Sequence, residues 1–191
     1  MELWGEATMR VLVSITGASG SIYGVRLVEE LVKARHEVFL IVSETARPIL
    51  EFETKYTAKQ VEGLVSKVYA NEDLWAGPAS GTFPLDAMVV APCSMKTLSA
   101  VAHGFEDTLT ARAASCMLKE GRTLILVVRE TPLDLPGVRN LLLAKESGAV
   151  ILPAMPAFYH KPKSVDDMVS FVVGKILDQL RIKHTLYKPW K

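Results

Sequence analysis

Apolar residues along this chain follow two rhythms: short unbroken runs, and longer stretches with apolar positions every third or fourth residue. The runs at 11–15, 37–42, 67–69, 87–91, 123–128 and 149–152 read as strands. Most lack polar alternation, so they predict strands covered on both faces, as in a parallel sheet. The intervening stretches read as helices. In the first, over 21–33, Ile22, Val25, Leu27, Val28, Leu31 and Val32 form the apolar face. Others are expected from Ser43-Glu44 toward Phe52 and over 58–66, 94–102, 108–118, 135–147 and 165–182, with Gly148 stopping the one at 135–147. Residues 71–84, broken by Gly77-Pro78, Gly81 and Pro84, read as a loop. This alternation predicts an α/β fold, a three-layer, doubly wound, Rossmann-like domain with a mainly parallel sheet.

At 191 residues the chain is long enough to bury a full core as one domain. We expect that domain over 9–183, between a flexible extension at 1–8 and a C-terminal tail at 184–191. The extension carries two Glu and no basic residue, which fits neither a secretory signal nor a transit peptide. Hydrophobic residues at 49% and charged ones at 23% are ordinary for a soluble globular protein. A net charge of +1 supplies no basic surface for nucleic acid. No apolar run reaches the ~18 residues of a membrane span. Cys93 and Cys116 are too few for a disulfide framework, so a reducing cytoplasm is expected.

In doubly wound sheets ligands bind beyond the carboxyl ends of the strands, so the residues there are the candidates for chemistry. The first strand runs into Thr16-Gly17-Ala18-Ser19-Gly20, a turn of little side-chain bulk that opens a helix. Helix-start N–H groups lack intrahelical partners and can hold a phosphate. The second strand ends at Ser43, and the fourth at Pro92-Cys93-Ser94-Met95-Lys96-Thr97, where Ser94 reads as an N-cap. The fifth ends at Arg129-Glu130, and the last leads through Pro153 to Tyr159-His160. Taken singly, Ser43 and Ser94 read as simple caps, and Arg129-Glu130 as a surface ion pair of little worth. Their convergence on one rim carries the functional reading. His36, His103, His160 and His184 show no metal-ligand spacing and read as surface or capping residues. Cys93 reads as a small packed residue.

The segments TGASGSIYG (16–24), PCSMKTLSAVAHG (92–104), LKEGR (118–122), VRETPL (128–133) and ESGAVILPAMPAFYHKP (146–162) together resemble the UbiX/Pad1 family of flavin prenyltransferases. The similarity runs from about residue 9 to 182, with the motifs in family order. It implies FMN as prenyl acceptor and dimethylallyl phosphate as donor. The prenyl group is joined to reduced flavin at N5 and then C6 by a metal-independent transferase. The product would serve a UbiD-type decarboxylase, and the protein would be a homo-oligomer with sites near subunit interfaces.

By the motif match, Gly17, Ala18, Ser19, Ser43, Ser94, Met95, Lys96, Thr97 and Arg129 fall at flavin-contacting positions. Lys119, Arg129, Glu130, Tyr159 and Lys175 fall where the family handles the prenyl phosphate. Trp75, Ala79, Ser80 and Gly81 match a loop near that group, Glu53 a further polar position, and Arg112 a subunit-contact or site-edge arginine. The resemblance makes Ser19, Glu130 and Lys119 the catalytic candidates. Fixed cations and hydroxyls suit a departing phosphate, an aromatic face such as Trp75 suits an allylic cation, and Glu130 suits the removal of a ring proton. At 175 this chain has Lys where many relatives have Arg, exchanging a two-pronged grip for one compact charge.

Four other readings compete. A flavin-dependent decarboxylase of the cysteine type would carry a PxMNxxMW-like segment, where this chain reads PAMPAFYH (153–160). An aromatic-acid decarboxylase would need a separate site for its substrate, and the sequence shows none; a non-catalytic FMN-binding subunit would keep the Gly-rich turn but not need Lys119, Glu130, Tyr159 and Lys175 together. A short-chain dehydrogenase, whose cofactor turn resembles 16–20, needs a catalytic Tyr-x-x-x-Lys and a longer chain. No such catalytic pair is expected.

Overall fold

The apolar runs do become strands, and the four central ones are hidden on both sides. In the computed structural model, residues 8–190 are described; residues 1–7 of the expected extension and residue 191 of the tail lie outside them. Strands β1 (Arg10–Ile15), β2 (Glu37–Val42), β3 (Lys67–Tyr69), β4 (Ala87–Cys93), β5 (Thr123–Val128) and β6 (Val150–Ile151) form one sheet. Its order is β3-β2-β1-β4-β5-β6, and every neighbouring pair is parallel. β4, in the middle, is buried at all seven positions. The edge strand β6, by contrast, is only half-buried.

Helices α1 (Ser21–Lys33), α2 (Ala46–Glu53), α3 (Ala58–Glu62), α4 (Met95–His103), α5 (Leu109–Lys119), α6 (Leu135–Glu146) and α7 (Val165–Gln179) complete three layers. Alternate strand residues face opposite ways, which separates two cores. Val11, Val13 and Ile15 pack with Leu27 and Leu31 of α1 and Val172 and Ile176 of α7. Leu12 packs on the other side with Leu98 of α4 and Ala113 and Met117 of α5. Each such leucine or isoleucine contributes roughly 1.5–3 kcal/mol by leaving water.

The expected elements are all present, with displaced ends. β4 runs two residues further than the apolar run, through Pro92, and its pairing with β5 shifts register between Val90 and Cys93. Pro92 has no N–H to give the ladder. The helix expected over 58–66 stops at Glu62, where Gly63 follows. α7 ends at Gln179, three residues short of 182, and the chain then passes through Arg181 at φ 59°. The loop over 71–84 contains a 3-10 turn, Gly77–Ala79, with Pro78 inside it.

Candidate active site

Crossovers leave β1 and β4 in opposite directions, so the crevice between their carboxyl ends is the switch point of the sheet. Thr16 spans it. Its hydroxyl donates to the Pro92 carbonyl at 2.7 Å and accepts from the Ser94 N–H at 2.9 Å. Beside this tie lies a cleft of about 170 Å³ lined by Thr16, Gly17, Ser43, Ser94, Lys96 and Thr97. A side chain at 17 would collide with the cleft wall, since a Cβ there would lie 2.5 Å from Thr45 Oγ1.

Four helices begin at this crevice; the first N–H groups of α2 are taken by the Ser43 carbonyl and those of α5 by Asn71, which leaves α1 and α4 to compare. Ser94 caps α4, accepting from the Thr97 N–H at 3.3 Å, with its hydroxyl 3.0 Å from Thr97 Oγ1. The first-turn N–H groups of Met95 and Lys96 have no carbonyl four residues back within the helix, and they face the cleft's end of the dipole. Lys96 stands 3.7 Å from Asp107. At α1 the expectation of open N–H groups does not hold. Glu53 Oε2, from the end of α2, accepts from the Gly20 N–H at 2.7 Å and the Ser21 N–H at 3.2 Å. The start of α1 therefore already holds an anion, the protein's own.

Arg129 does not pair with Glu130. Its Nε donates to the Ser19 carbonyl at 3.1 Å, tying the end of β5 to the Gly-rich turn. Glu130 is exposed, and its Oε1 accepts from the Thr131 N–H at 3.0 Å. The crevice thus brings together Gly17, Ala18, Ser19, Ser43, Glu53, Ser94, Met95, Lys96, Thr97, Arg129 and Glu130.

The remaining sequence candidates stand elsewhere on the protomer. α5 starts at the carboxyl rim, where the Leu109 N–H meets the Asn71 carbonyl at 2.7 Å, and runs down the sheet. Its last residue, Lys119, lies about 15 Å further along, close to where β5 begins, and 4.0 Å from Glu120. The loop from Trp75 descends the same face. Arg112 Nε holds the Ala79 carbonyl at 2.9 Å, and Arg122, beside the start of β5, holds Gly81 at 2.9 Å. Ser80 bonds Thr82 at 2.8 Å, and Trp75 is 99% exposed. Tyr159 and Lys175 belong to the α7 side. Tyr159 packs edge-on against Phe171, and Lys175 Nζ lies 2.9 Å from Asp178.

The family model described as Flavoprotein matches residues 5–177. The flavin prenyltransferase UbiX of Thauera aromatica is 45% identical over 182 residues, covering 95% of this chain and 94% of that protein. The chain belongs to the UbiX family of flavin prenyltransferases. Among solved structures, AnUbiX (PadA1) in complex with FMN and dimethylallyl pyrophosphate superposes with a TM-score of 0.95 at 39% identity, covering 97% of this chain and 98% of that one. A dodecameric FMN-dependent UbiX-like decarboxylase from Escherichia coli O157:H7 gives 0.93 at 41% identity, covering 96% and 100%.

Several polar residues of this UbiX-family crevice escape a reading of strand ends. Ser14, wholly buried in β1, bonds Thr110 at 2.7 Å, and Thr110 donates to Asn71 at 2.7 Å. This chain of groups floors the cleft, and a lone serine inside the apolar run 11–15 was its one sequence signal. Tyr23 covers the turn: its ring would meet a Cβ on Gly20 at 2.9 Å. Burial pushes the Tyr23 phenol above its ordinary value, partly offset by the Arg129 charge.

Two sequence expectations need correction. Tyr159 and Lys163, and Tyr187 and Lys191, do stand at Tyr-x-x-x-Lys spacing. Tyr159 and Lys163 lie in irregular chain before α7, without the helical turn that would bring them onto one face, and Lys191 is outside the described residues. Nor are the histidines all superficial. His36 accepts from the Met9 N–H at 3.1 Å, and both ring nitrogens of His160 are buried without a hydrogen-bond partner in the described residues.

Proposed function

We propose that this protein transfers the dimethylallyl group of dimethylallyl phosphate to reduced FMN, at N5 and then C6. The product is the prenylated flavin that a UbiD-type decarboxylase consumes. The observation that carries this reading is the crevice itself. An uncommitted helix start at α4, a row of hydroxyls and the Arg129 cation meet at the switch point of a UbiX-family chain. That donor set suits a phosphorylated polyol such as the FMN side chain. Ser43, Ser94, Met95, Lys96 and Thr97 would hold it, with Gly17 allowing close approach.

Bound reduced FMN supplies the nucleophilic nitrogen and carbon. The protein's part would be to stabilise the departing phosphate and to relay protons, one given to the prenyl double bond as it bonds to C6 and one taken from that ring carbon. Arg129 is fixed by Ser19's carbonyl, so its remaining guanidinium donors are oriented without reorganisation. Lys119, Tyr159 and Lys175 add the other cations and the hydroxyl. Trp75 offers its face to the allylic cation. Glu130, anchored by its neighbour's N–H, accepts the ring proton, and the Ser19 hydroxyl hydrogen-bonds near the reacting nitrogen.

Lys119 cannot join the rim of its own protomer, because α5 carries it to the far edge of the sheet. A complete site therefore takes this residue from another copy of the chain. The dodecameric relative supports such a homo-oligomer. We assign the catalytic domain to 9–183. Cys93 and Cys116, both free and buried, suit a reducing cytoplasm.

The test incubates purified protein with reduced FMN and dimethylallyl phosphate, with the pyrophosphate alongside, and weighs the extracted flavin. We expect a gain of one prenyl unit. Bound FMN with no gain in mass would sink the transfer reading. The solved relative described as a decarboxylase motivates one rival outcome, CO2 release from cysteine or an aromatic acid by the protein alone. Site sharing is tested by mixing two inactive variants, Ser19→Ala and Lys119→Ala. Co-assembled oligomers should regain part of the activity, and mixtures as dead as their components would refute sharing.

A further inference from the structure

We propose that the C-terminal segment 184–190 is a strap that positions Lys175 and Tyr159 for the prenyl phosphate, and that Gly174 is the notch that seats it. The inference rests on the prenyl-transfer reading above and adds to it positioning residues, none of which touches substrate.

Gly174 lies inside α7, where glycine weakens a helix. Its backbone is ordinary, so no left-handed turn calls for it. What calls for it is the strap. A Cβ at 174 would stand 2.6 Å from Tyr187 Cδ1 and 2.8 Å from His184 Cε1, closer than such atoms can pack. Two side chains of the tail therefore occupy the space that any other residue would fill.

One turn further along α7, Asp178 gathers the strap and Lys175 onto one carboxylate. Oδ2 accepts from Lys175 Nζ at 2.9 Å and from the Tyr187 hydroxyl, and Oδ1 lies 3.1 Å from His184 Nε2. Burial alone would raise the Asp178 carboxyl. The hydrogen bonds from Tyr187, Lys175 and His184 outweigh it and hold that carboxyl below its ordinary value. The same bond to Asp178 raises the Lys175 ammonium. The Tyr187 ring also stacks at a tilt on Phe171, 4.9 Å between centroids, and Trp190 meets Tyr159 edge-on at 5.3 Å. The strap thus touches both α7-side members of the phosphate set, one through a carboxylate and one through a ring.

Left to itself, Lys175 would pair with Asp178 as a simple i,i+3 ion pair on a flexible stem. With Tyr187 and His184 sharing the carboxylate, Asp178 is fixed and its charge divided among three donors. Lys175 is then held in place without being fully neutralised. Ordering a long cationic side chain before the ligand arrives removes part of the cost of binding.

Gly174→Ala tests this in the intact, FMN-loaded protein, because alanine favours the helix and leaves folding unharmed. Trypsin cleavage between Lys183 and His184 reports whether the strap is seated. We expect faster cleavage and a KM for dimethylallyl phosphate raised about five- to tenfold, the scale of one ordinary hydrogen bond. The kcat and the affinity for FMN should stay at the wild-type level. Tyr187→Phe, which keeps the ring and drops only the hydroxyl, should give a smaller rise in KM. Faster cleavage with unchanged KM overturns the positioning role while leaving prenyl transfer intact. Unchanged cleavage overturns Gly174 as the seat. Wild-type protein that binds FMN and prenylates nothing overturns the transfer reading and the strap's part in it together.

Discussion

Two of the helices that start at the crevice have first turns finished in opposite ways. α4 is capped from within, by the Ser94 hydroxyl on the Thr97 N–H three residues later. α1 is capped from outside, by a carboxylate 33 residues away that takes the Gly20 N–H. A helix start is an anion site only while it lacks an anion. Glu53 fills the one at α1, so α4 remains as the place for a phosphate. The glycine-rich turn, the most conspicuous motif in the chain, then serves to present Ser19 and to offer its carbonyl to Arg129.

The contrast can be broken most severely at Gly20. Its φ of 98° strains any side chain, and a Cβ there meets the Tyr23 ring at 2.9 Å. Gly20→Ala should cost about 2–3 kcal/mol, which in a chain of this length lowers Tm by about 5–10 °C. It should also loosen FMN, measured by flavin fluorescence titration. Glu53→Ala comes next. It removes two charge-assisted bonds at an exposed position, for a loss of about 1–2 kcal/mol, read as a fall in Tm. Ser94→Ala removes a single neutral cap, worth about 1 kcal/mol, but it touches the helix start assigned to FMN. If the two ends are used as argued, Ser94→Ala weakens FMN binding more than Glu53→Ala despite the smaller fall in Tm; the reverse order would exchange their roles. The smallest effect expected is none at all. Burial pushes the Cys93 thiol up to about 12, so a thiol reagent at pH 8 should leave it unmodified in the native protein. Mass spectrometry of the treated protein decides.

These caps also show which parts of the molecule are legible in sequence. The strands were readable because burial on both faces leaves an unbroken apolar run, and β1, β2 and β5 fall within a residue of the expected ends. Ser94 was readable because a local cap acts over three residues. Glu53's grip on α1, Thr16's span to Pro92 and the Ser14–Thr110–Asn71 floor of the cleft were not readable. Each joins elements distant in the chain, and no local preference marks the partner. The same limit applies to the rim itself. Strand ends predict which residues share it, and they placed Ser19, Ser43, Ser94 and Arg129 together. Family resemblance added Lys119 and Trp75 to the set, and only the direction of α5 reveals that Lys119 lies at the other edge of its own protomer.

Arg129 grips Ser19 through the main chain, at its carbonyl oxygen. Any amino acid at position 19 would offer that same oxygen. The tie that shapes the crevice is therefore indifferent to the side chain beside it. Natural variation can try a new hydroxyl, thiol or methyl group there without disturbing the frame. Scaffold and side-chain chemistry are inherited separately at this position, which gives a lineage room to change that chemistry by a single codon.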